Sequence, residues 1–364
     1  MEKVKLKDIC RLINGRAYKQ EELLDSGKYP VLRVGNFFSD KVFYYSDLEL
    51  EEDKYCDNGD LLFAWSASFG PKIWDGEKVI YHYHIWKMEL TDRVNKEFLF
   101  YYLFHLSERI KSEGHGGIMI HTTKAEMEER EFNLPTLEEQ IAISEILNKV
   151  MSVIDKRKEE LSVLDDLIKA RFVEMFGDAV DNPMGWEKKQ LQEIVTDECS
   201  ISYGIVQTGN DQEKGVPVFR PIDIVNRIPK LEELKRTTEE ISNKYKRTIL
   251  KGHEMLITVR ANIADTCIVG EEFKGCNVGR GIVPIRTQEN IMVLEFLKYL
   301  MDSKHLNDDI KSKAKGITLI QLNMEDLREV ELIIPPIEQQ KIFVKFAEQV
   351  DKSKVVDIDK KDKL

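Results

Sequence analysis

The chain has 364 residues, of which 42% are hydrophobic and 33% are charged, so it holds enough apolar side chains to form cores and is not a disordered chain. Its length favours two or three domains, and its formal net charge of −11 excludes a surface that is basic throughout. No apolar run approaches the roughly 20 residues of a membrane-spanning helix, and the N-terminal residues lack the apolar segment of a secretion signal. We therefore expect a cytoplasmic protein with no membrane partner.

The five cysteines predict neither a disulfide framework nor a metal site. Their number is odd and no two of them have CxxC spacing, which favours reduced thiols. A structural zinc ion needs four close ligands, and Cys267 and Cys276 have no histidine between them. We predict no metal in this chain.

Several short segments of the first half recur in the second half, in the same order. The offset between the copies grows from 185 to 200 residues along the chain, and loop insertions in the second copy of a duplicated unit would produce this growth. The pattern predicts two similar α/β (α+β) domains at 1–135 and 181–335, a central helix at 136–180, and a short C-terminal helix with a polar tail at 336–364. The paired segments are Lys5–Ile9 with Gln190–Ile194, Pro30–Arg33 with Pro217–Arg220, Glu97–Leu99 with Glu295–Leu297, and Leu134–Gln140 with Ile334–Gln340.

In the first half, the β-branched and aromatic run Val79–Trp86 predicts a strand, and Glu97–Arg109 predicts a short amphipathic helix. His82 and His84 would then share one face of that strand. Contact with an anion or a metal is one interpretation, and half-buried strand residues are the simpler one. The segment between Trp65 and Trp74 is either a recognition loop with stacking residues or a turn between two core aromatics, and its polar candidates are Ser66, Ser68 and Lys72.

The segment that follows Pro135 carries the strongest helix signal in the chain. Thr136 and Glu139 have capping-box spacing, and no glycine or proline interrupts the run before Gly177. Five apolar residues fall seven apart, which favours a coiled-coil seam over a helix packed on its own domain. These residues are Leu147, Ile154, Leu161, Ile168 and Met175. After Pro336 the helix begins in the same way, but the heptad stops near Val350.

In the second half, Met255–Val259 predicts a strand and Leu294–His305 a helix. Arg260 and Asn262 follow the strand directly, and these residue types read guanine and adenine edges in the major groove. Lys244, Lys246 and Arg247 form a local cluster of positive charge around Tyr245. The cluster either binds phosphates or is an ordinary solvated surface.

Motifs of catalysis are absent from the sequence. We find no GxGxxG or GxxxxGK[ST] phosphate-binding loop, no GxSxG elbow and no HExxH. Asn182–Gly185 superficially resembles the NPPY/F motif of amino-methyltransferases, but it lacks the aromatic that would stack on a target base. We interpret it as a loop.

The duplicated layout resembles the specificity subunit of type I restriction-modification enzymes, over essentially the whole chain. The most specific segments are Pro135–Gln140 and Pro335–Gln340, together with Lys169–Asp178 and Asn182–Trp186. The resemblance implies two target-recognition domains that each read one half of a split site in double-stranded DNA. It also implies helices that pair as an antiparallel coiled coil, set the half-site spacing and dock two DNA methyltransferase (modification) subunits. The short second helix departs from the family pattern and puts the second docking site in doubt.

The resemblance implies that this chain has no catalytic residues and binds no cofactor. S-adenosylmethionine, ATP and Mg²⁺ would belong to the modification and restriction/translocase subunits. DNA contacts are expected from ten residues and partner docking from three positions of the long helix. The DNA-binding candidates are Arg33, Ser66, Ser68, Lys72, Arg220, Lys244, Lys246, Arg247, Arg260 and Asn262, and the docking candidates are Ile154, Leu161 and Ile168.

Two other classes of protein stay open at this point. One is a DNA methyltransferase or nuclease with an unrecognised catalytic site, which the missing motifs disfavour. The other is a protein-interaction adaptor with a coiled-coil scaffold, which DNA-binding assays would distinguish from the main interpretation.

Overall fold

The computed structural model describes residues 1–39, 41–66, 69–113, 122–224, 228–316 and 320–359, with the backbone alone at 111–113 and 355–359. The chain divides into two compact units, Met1–Arg157 and Lys158–Leu364. None of the described helices is long and apolar enough to cross a bilayer.

The first unit is mixed α/β. Its described elements are β1 Glu2–Lys5, β2 Cys10–Asn14, β3 Tyr29–Leu32, α1 Val34–Phe38, β4 Tyr44–Ser46, β5 Tyr55–Cys56, β6 Leu61–Ala64, β7 Gly70–Ile73, β8 Val79–Tyr81, β9 Ile85–Leu90, α2 Lys96–Glu113, α3 Lys124–Glu128, β10 Glu131–Leu134 and α4 Leu137–Phe176. Helix α4 continues into the second unit. The described strands form two four-stranded sheets, β4-β3-β8-β5 and β2-β9-β6-β7, and a ribbon in which β1 pairs with β10.

The second unit repeats this plan. Its described elements after α4 are β11 Glu187–Gln190, α5 Leu191–Ile194, β12 Val216–Phe219, β13 Lys235–Thr237, α6 Glu239–Lys244, β14 Glu254–Thr258, β15 Thr266–Val269, β16 Asn277–Val278, β17 Ile282–Ile285, α7 Leu294–Asp302, α8 Lys304–Ser312, α9 Met324–Arg328, β18 Glu331–Ile334 and α10 Ile337–Asp359. Sheets β13-β12-β16 and β15-β14-β17 correspond to the two larger sheets of the first unit, and the β11–β18 ribbon corresponds to β1–β10.

The strand register supports this equivalence. Strand β3 runs parallel to β8, and β12 runs parallel to β16, although most other pairs are antiparallel. In both units the central strand of the second sheet, β6 or β14, is antiparallel to both of its neighbours. The duplication predicted from the sequence is therefore present in the fold.

The repeated glutamine explains why the segment after each proline recurs. Gln140 is fully buried, and its amide donates to the carbonyls of Pro135 and Arg93 while its carbonyl accepts from the Asn95 N–H. Gln340 makes the same set of bonds to Pro335, Ile291 and Val293. Each glutamine thus joins the start of a long helix to the loop before α2 or α7.

The capping box predicted at the start of α4 is confirmed. The Thr136 N–H donates to the Glu139 carboxylate over 2.9 Å, and the Glu139 N–H donates to Thr136 Oγ1 over 3.3 Å. These bonds satisfy two backbone donors that the first helical turn leaves unpaired. The N–H and the hydroxyl of Thr136, which both donate to the Glu139 carboxylate, lower the pKa of Glu139.

Helix α10 packs antiparallel to the C-terminal part of α4 within the second unit. The ring centroid of Phe343 lies 5.4 Å from that of Phe172 and 5.7 Å from that of Phe176. Further along α10, Lys354 pairs with Asp165 at 2.6 Å. Because Phe343 meets the later residues of α4 and Lys354 the earlier ones, the two helices run in opposite directions.

Three predicted elements differ from the structure. The run Val79–Trp86 is not one strand, because a turn at 82–84 separates β8 from β9. The run Leu294–His305 is not one helix, because Ser303 has an extended backbone (ψ 138°) between α7 and α8. The helix after Pro336, predicted to be short because its heptad stops near Val350, continues to Asp359, and Lys354 pairs with Asp165 and Asp351.

Candidate nucleic-acid interface

A tight turn occupies the same place in both units, between β8 and β9 and between β16 and β17. In the first unit the Ile85 N–H donates to the His82 carbonyl over 2.9 Å, which closes a turn around Tyr83 and His84. In the second unit the Ile282 N–H donates to the Gly279 carbonyl over 3.0 Å, around Arg280 and Gly281. Tyr83 and Arg280 therefore occupy equivalent positions.

Neighbouring backbone bonds confirm that the two turns are equivalent. The His82 N–H donates to Leu32 O over 2.9 Å, and the Gly279 N–H donates to Phe219 O over 2.8 Å. A glycine packs against the strand before each turn. A Cβ added at Gly15 would collide with the Tyr81 carbonyl of β8, and one added at Gly204 would collide with the Val278 carbonyl of β16. The backbone thus holds both turns in one defined place.

Aromatic and imidazole rings surround the turn of the first unit. The ring centroid of Tyr83 lies 3.9 Å from that of His84 and 4.5 Å from that of His82. The ring centroid of Trp65 lies 5.0 Å from that of His84. The Trp65 indole N–H donates to the Tyr83 carbonyl over 2.9 Å. Tyr83 is 37% exposed, so this surface offers flat rings and polar tips to a ligand.

The histidines of this turn favour the neutral form. Burial, the neighbouring His84 and the Arg33 charge lower the pKa of His82 to about 4, and burial lowers the pKa of His84. The prediction that both imidazoles lie on one face of a strand is wrong, because the turn carries them. The nearby contacts are aromatic rings and Arg33, with no third metal ligand among the described residues.

Arg33 and Arg220 directly follow the equivalent strands β3 and β12. The Arg33 N–H donates to Asn36 Oδ1, and the Arg220 N–H donates to Asp223 Oδ2, so the turn after each arginine begins with the same type of bond. The side chains differ. The Arg220 guanidinium makes two further bonds to the Asp223 carboxylate, at 2.8 and 3.0 Å, which raise the pKa of Arg220.

Arg33 instead lies over the Tyr44 ring, 5.1 Å from its centroid, and faces a cavity of about 610 Å³. Lys41, Asn36 and Asp25 line the same cavity. No ion pair joins Arg33 or Lys41 to another residue that the structure describes. The first unit thus has two available cations where the second has a neutralised arginine.

The remaining candidates of the first unit come from the sequence segment between Trp65 and Trp74. Ser66 is 7% exposed, which limits its contact with a ligand. Ser68 lies outside the described residues. Lys72 is half-buried on β7, with its Nζ 5.4 Å from the Trp74 ring and 3.6 Å from the Asp75 carboxylate.

In the second unit, Arg260 and Asn262 lie in the loop between β14 and β15, as predicted. Arg260 Nε donates to Gln321 Oε1 over 2.6 Å, Nη2 bonds the same oxygen, and Gln321 in turn donates to the Tyr203 hydroxyl. Two donors of the guanidinium are therefore already engaged. Asn262 is exposed, and its neighbours Ala261 and Ala264 have positive φ of 62° and 64°.

The Lys244–Arg247 cluster is exposed at the end of α6. Lys244 pairs with Glu240 at 2.9 Å, and this pair raises the pKa of Lys244. Lys246 and Arg247 follow in a 3-10 turn, and neither side chain is paired within the described part of the chain. Two of the three cations are free to meet an anion.

The three docking candidates on α4 have different surroundings. Ile154 is 40% exposed, Leu161 is half-buried, and Ile168 is 5% exposed inside the core of the second unit. Ile168 therefore presents no surface to another protein, because the chain's own residues cover it. Other exposed apolar residues lie near Ile154 on α4, namely Ile143, Ile146, Val150 and Val153.

The sequence patterns did not identify two residues of this interface, Arg280 and Tyr83. Arg280 stands alone between two glycines, outside the clusters of positive charge. Aligning Tyr81–Ile85 with Val278–Ile282 would have placed both at one position of the repeat, but the two segments share only the final isoleucine.

One group of described side chains has the composition of a metal site. The ligand atoms of Asp178, Asp181 and His305 lie within 4.8 Å of one another. Asp178 already accepts the backbone N–H groups of Val180 and Asp181 and lies 2.6 Å from His305. Its contacts thus serve to cap the turn after α4.

Two equivalent α/β units, each presenting rings or cations at the same turn, define a duplicated recognition protein. A model of the type I restriction modification DNA specificity domain matches residues 1–164 and again 183–363. The chain belongs to this family.

Relatives from distant organisms have similar sequences over most of the chain. The type I restriction enzyme EcoBI specificity subunit of Escherichia coli is 23% identical, over 96% of this chain and 78% of that protein. The putative type I restriction enzyme MjaX specificity subunit of Methanocaldococcus jannaschii is 25% identical, over 98% and 88%. The crystal structure of the S subunit of a type I restriction-modification system from M. genitalium has the same fold, with a TM-score of 0.51, 15% identity, and coverage of 97% and 90%.

Proposed function

We propose that this chain is the DNA-recognition subunit of a type I restriction-modification complex, in which each unit reads one half of a bipartite site in double-stranded DNA. The observation that carries the proposal is the repetition of one specificity domain, with the equivalent turns at Tyr83 and Arg280. Two similar readers joined by a helix suit two half-sites at a fixed separation.

The net charge of −11 requires that the DNA surface be local. Arg33, Lys41, Lys246, Arg247 and Arg280 form no ion pair with a residue that the structure describes, and they supply such patches. Lysine and arginine contacts to phosphates give affinity without sequence information, whereas base-edge contacts give specificity. We assign Lys246 and Arg247 to phosphates, and the loops around Arg260, Asn262 and Arg280 to the bases.

The proposal includes a division of labour with partner subunits. This chain would hold no catalytic residue, and S-adenosylmethionine, ATP and Mg²⁺ would bind to the modification and restriction/translocase subunits. Two modification subunits would dock on the helices. The exposed apolar residues of α4 around Ile154 support docking of a partner subunit on this helix, because a helix face that stays in water rarely carries so many apolar side chains.

The proposal is tested by assembling the chain with the modification subunits and selecting bound sequences from a random duplex library. The expected result is a split motif, two short specified blocks with an unspecified spacer of constant length. The isolated chain is expected to bind more weakly, because its acidic surface opposes the phosphates. A complex that selects no sequence, or one continuous block, would contradict the proposal.

A phosphate role for the Lys246 cluster has its own signature. Lys246→Ala in the assembled complex should weaken cognate and random DNA alike and reduce the slope of log affinity against log salt by about one unit. Lys244→Ala is the matched control, because Glu240 already pairs with that lysine. Equal effects of the two changes would place the phosphate contacts elsewhere.

A further inference from the structure

We infer that Arg280, at the tip of the β16–β17 turn, reads a guanine in the half-site of the second unit. The inference rests on the proposed function and names the side chain that carries base specificity there. Four observations support it: the equivalence of the two turns, the convergence of three loops, the pairing of the neighbouring arginines, and the exposure of Arg280.

The turn lies where three loops of the second unit meet. The Val259 N–H donates to the Gly281 carbonyl over 2.8 Å, so the β14–β15 loop begins beside the turn. A Cβ added at Gly281 would lie 3.3 Å from Arg260 Cβ and would collide with the Pro221 ring, next to Arg220. Only a residue without a side chain fits at 281, and Arg280 thus stands between the loops that carry the two other arginines.

These neighbouring arginines are already occupied. Nε and Nη2 of Arg220 donate to the Asp223 carboxylate, and Nε and Nη2 of Arg260 donate to Gln321. A bidentate contact with guanine O6 and N7 needs two free, parallel donors. In the described part of this surface, Arg280 is exposed and its guanidinium has no ion pair or hydrogen bond, so its donors are available.

The turn also holds Arg280 in place for such a contact. The backbone bonds of Gly279 and Ile282 fix both ends of the turn, at 2.8 and 3.0 Å, and Gly204 packs beneath it. A donor on a fixed backbone loses less entropy on binding than one on a mobile loop. The corresponding turn of the first unit carries Tyr83, whose phenol is both donor and acceptor, so the two units present different chemistry at one place.

The inference is tested in the assembled complex with three variants, Arg280→Ala, Arg280→Lys and Arg247→Ala. Each is selected against the random duplex library, and its affinity for cognate and scrambled DNA is measured. The wild-type motif should contain a G·C pair in the half-site of the second unit. Arg280→Ala should make that one position unspecified and weaken cognate binding by about 10- to 100-fold, while binding to scrambled DNA changes little.

The other two variants separate base reading from charge. Arg280→Lys keeps the charge but loses the bidentate fork, so it should retain affinity for scrambled DNA and lose discrimination at the same position. Arg247→Ala removes an exposed arginine of the same unit and should weaken all sequences equally. Because Arg280 has no partner within the described residues, hydrogen exchange of β14–β17 should be unchanged in both Arg280 variants.

Three results would overturn the inference. A selected motif that stays unchanged in Arg280→Ala would show that another residue reads this half-site. Uniform weakening of cognate and scrambled DNA would make Arg280 a phosphate contact. A split wild-type motif in which no G·C pair depends on Arg280 would refute the inference and leave the proposed function intact. A wild-type complex that selects no split motif would refute both.

Discussion

At the residue scale, equivalent backbone positions in the two units carry different chemistry. Arg33 and Arg220 directly follow equivalent strands, but Asn36 does not neutralise the first arginine, which has no ion pair among the described residues, whereas Asp223 neutralises the second. Tyr83 and Arg280 share one turn position in the same way. The scaffold is thus repeated while the side chains that would meet DNA are not, as expected where two half-sites differ.

The half-buried imidazole of His82 gives the first unit a pH dependence. Its pKa is lowered to about 4, mainly by burial and also by His84 and Arg33, whereas an unfolded histidine titrates near pH 6.5. Below pH 6.5 the unfolded chain therefore binds a proton that the folded unit does not. The stability of the first unit should be fully present above pH 6.5 and decline as the pH falls towards about 4.

His82→Asn should flatten this decline, and an NMR titration of the wild type should place the imidazole near pKa 4. Hydrogen exchange of β8 and β9, followed from pH 7 to 4, reports the stability of the first unit directly. The matched control is His105→Asn, on the exposed face of α2, which should keep the wild-type pH profile. An imidazole of residue 82 that titrates near 6.5 would contradict the account.

At the element scale, the long helices are fixed to their units by buried glutamines and an aromatic cluster. The four residues Phe172, Phe176, Phe296 and Phe343 are buried and in ring contact. Packed rings of this kind stabilise the folded unit, both because apolar surface is buried and because the rings meet edge to face. The seam between α4 and α10 in the second unit is therefore part of that unit's core.

Gln340→Ala should destabilise the second unit by about 1–3 kcal/mol, because it leaves the Val293 N–H and the Ile291 and Pro335 carbonyls without partners. Gln140→Ala should do the same to the first unit. Unit-resolved hydrogen exchange measures each effect. Glu338→Ala, an exposed change in the first turn of α10, is the control and should stay within about 0.5 kcal/mol of the wild type.

Two positions on the helices should separate folding from partner docking. Phe343→Ala removes a fully buried ring and should destabilise the second unit by about 3–5 kcal/mol. Ile154→Asp places a charge at a residue that is 40% exposed, so stability should change little, while co-purification with the modification subunit should fall sharply. The first effect is measured by urea unfolding and the second by pull-down at matched concentrations.

Met184→Asp is the control for the second effect, since it adds the same charge at an exposed apolar residue outside the long helices. Undiminished assembly of the Ile154 variant would show that this face of α4 does not dock the partner.

The repeated segments and the heptads allowed the duplication, the long helix and its capping box to be predicted, because these depend on local periodicity and capping chemistry. The turn at 82–84 was missed, because its flanking residues have strand propensity and its backbone bonds come from Leu32 and Arg16, far away in the chain. Arg260 was recognised by type, but its engagement by Gln321 depends on a contact between residues 61 positions apart. Side-chain pairing of that kind cannot be read from spacing.

At the scale of the whole molecule, the fold is two copies of one unit on a chain with an excess of acidic residues. Each unit has its own core and its own turn, so each should fold and read DNA independently of the other's side chains. The central claim is therefore modularity, with one unit for one half-site.

Exchange of residues 1–135 for the matching segment of a relative of different specificity tests this claim most directly. The hybrid chain is assembled with the modification subunits, and the sequences that the complex methylates are mapped across a genome. The account predicts that one block of the split motif changes to that of the relative while the other block stays as in the wild type. A motif in which both blocks change together would contradict it.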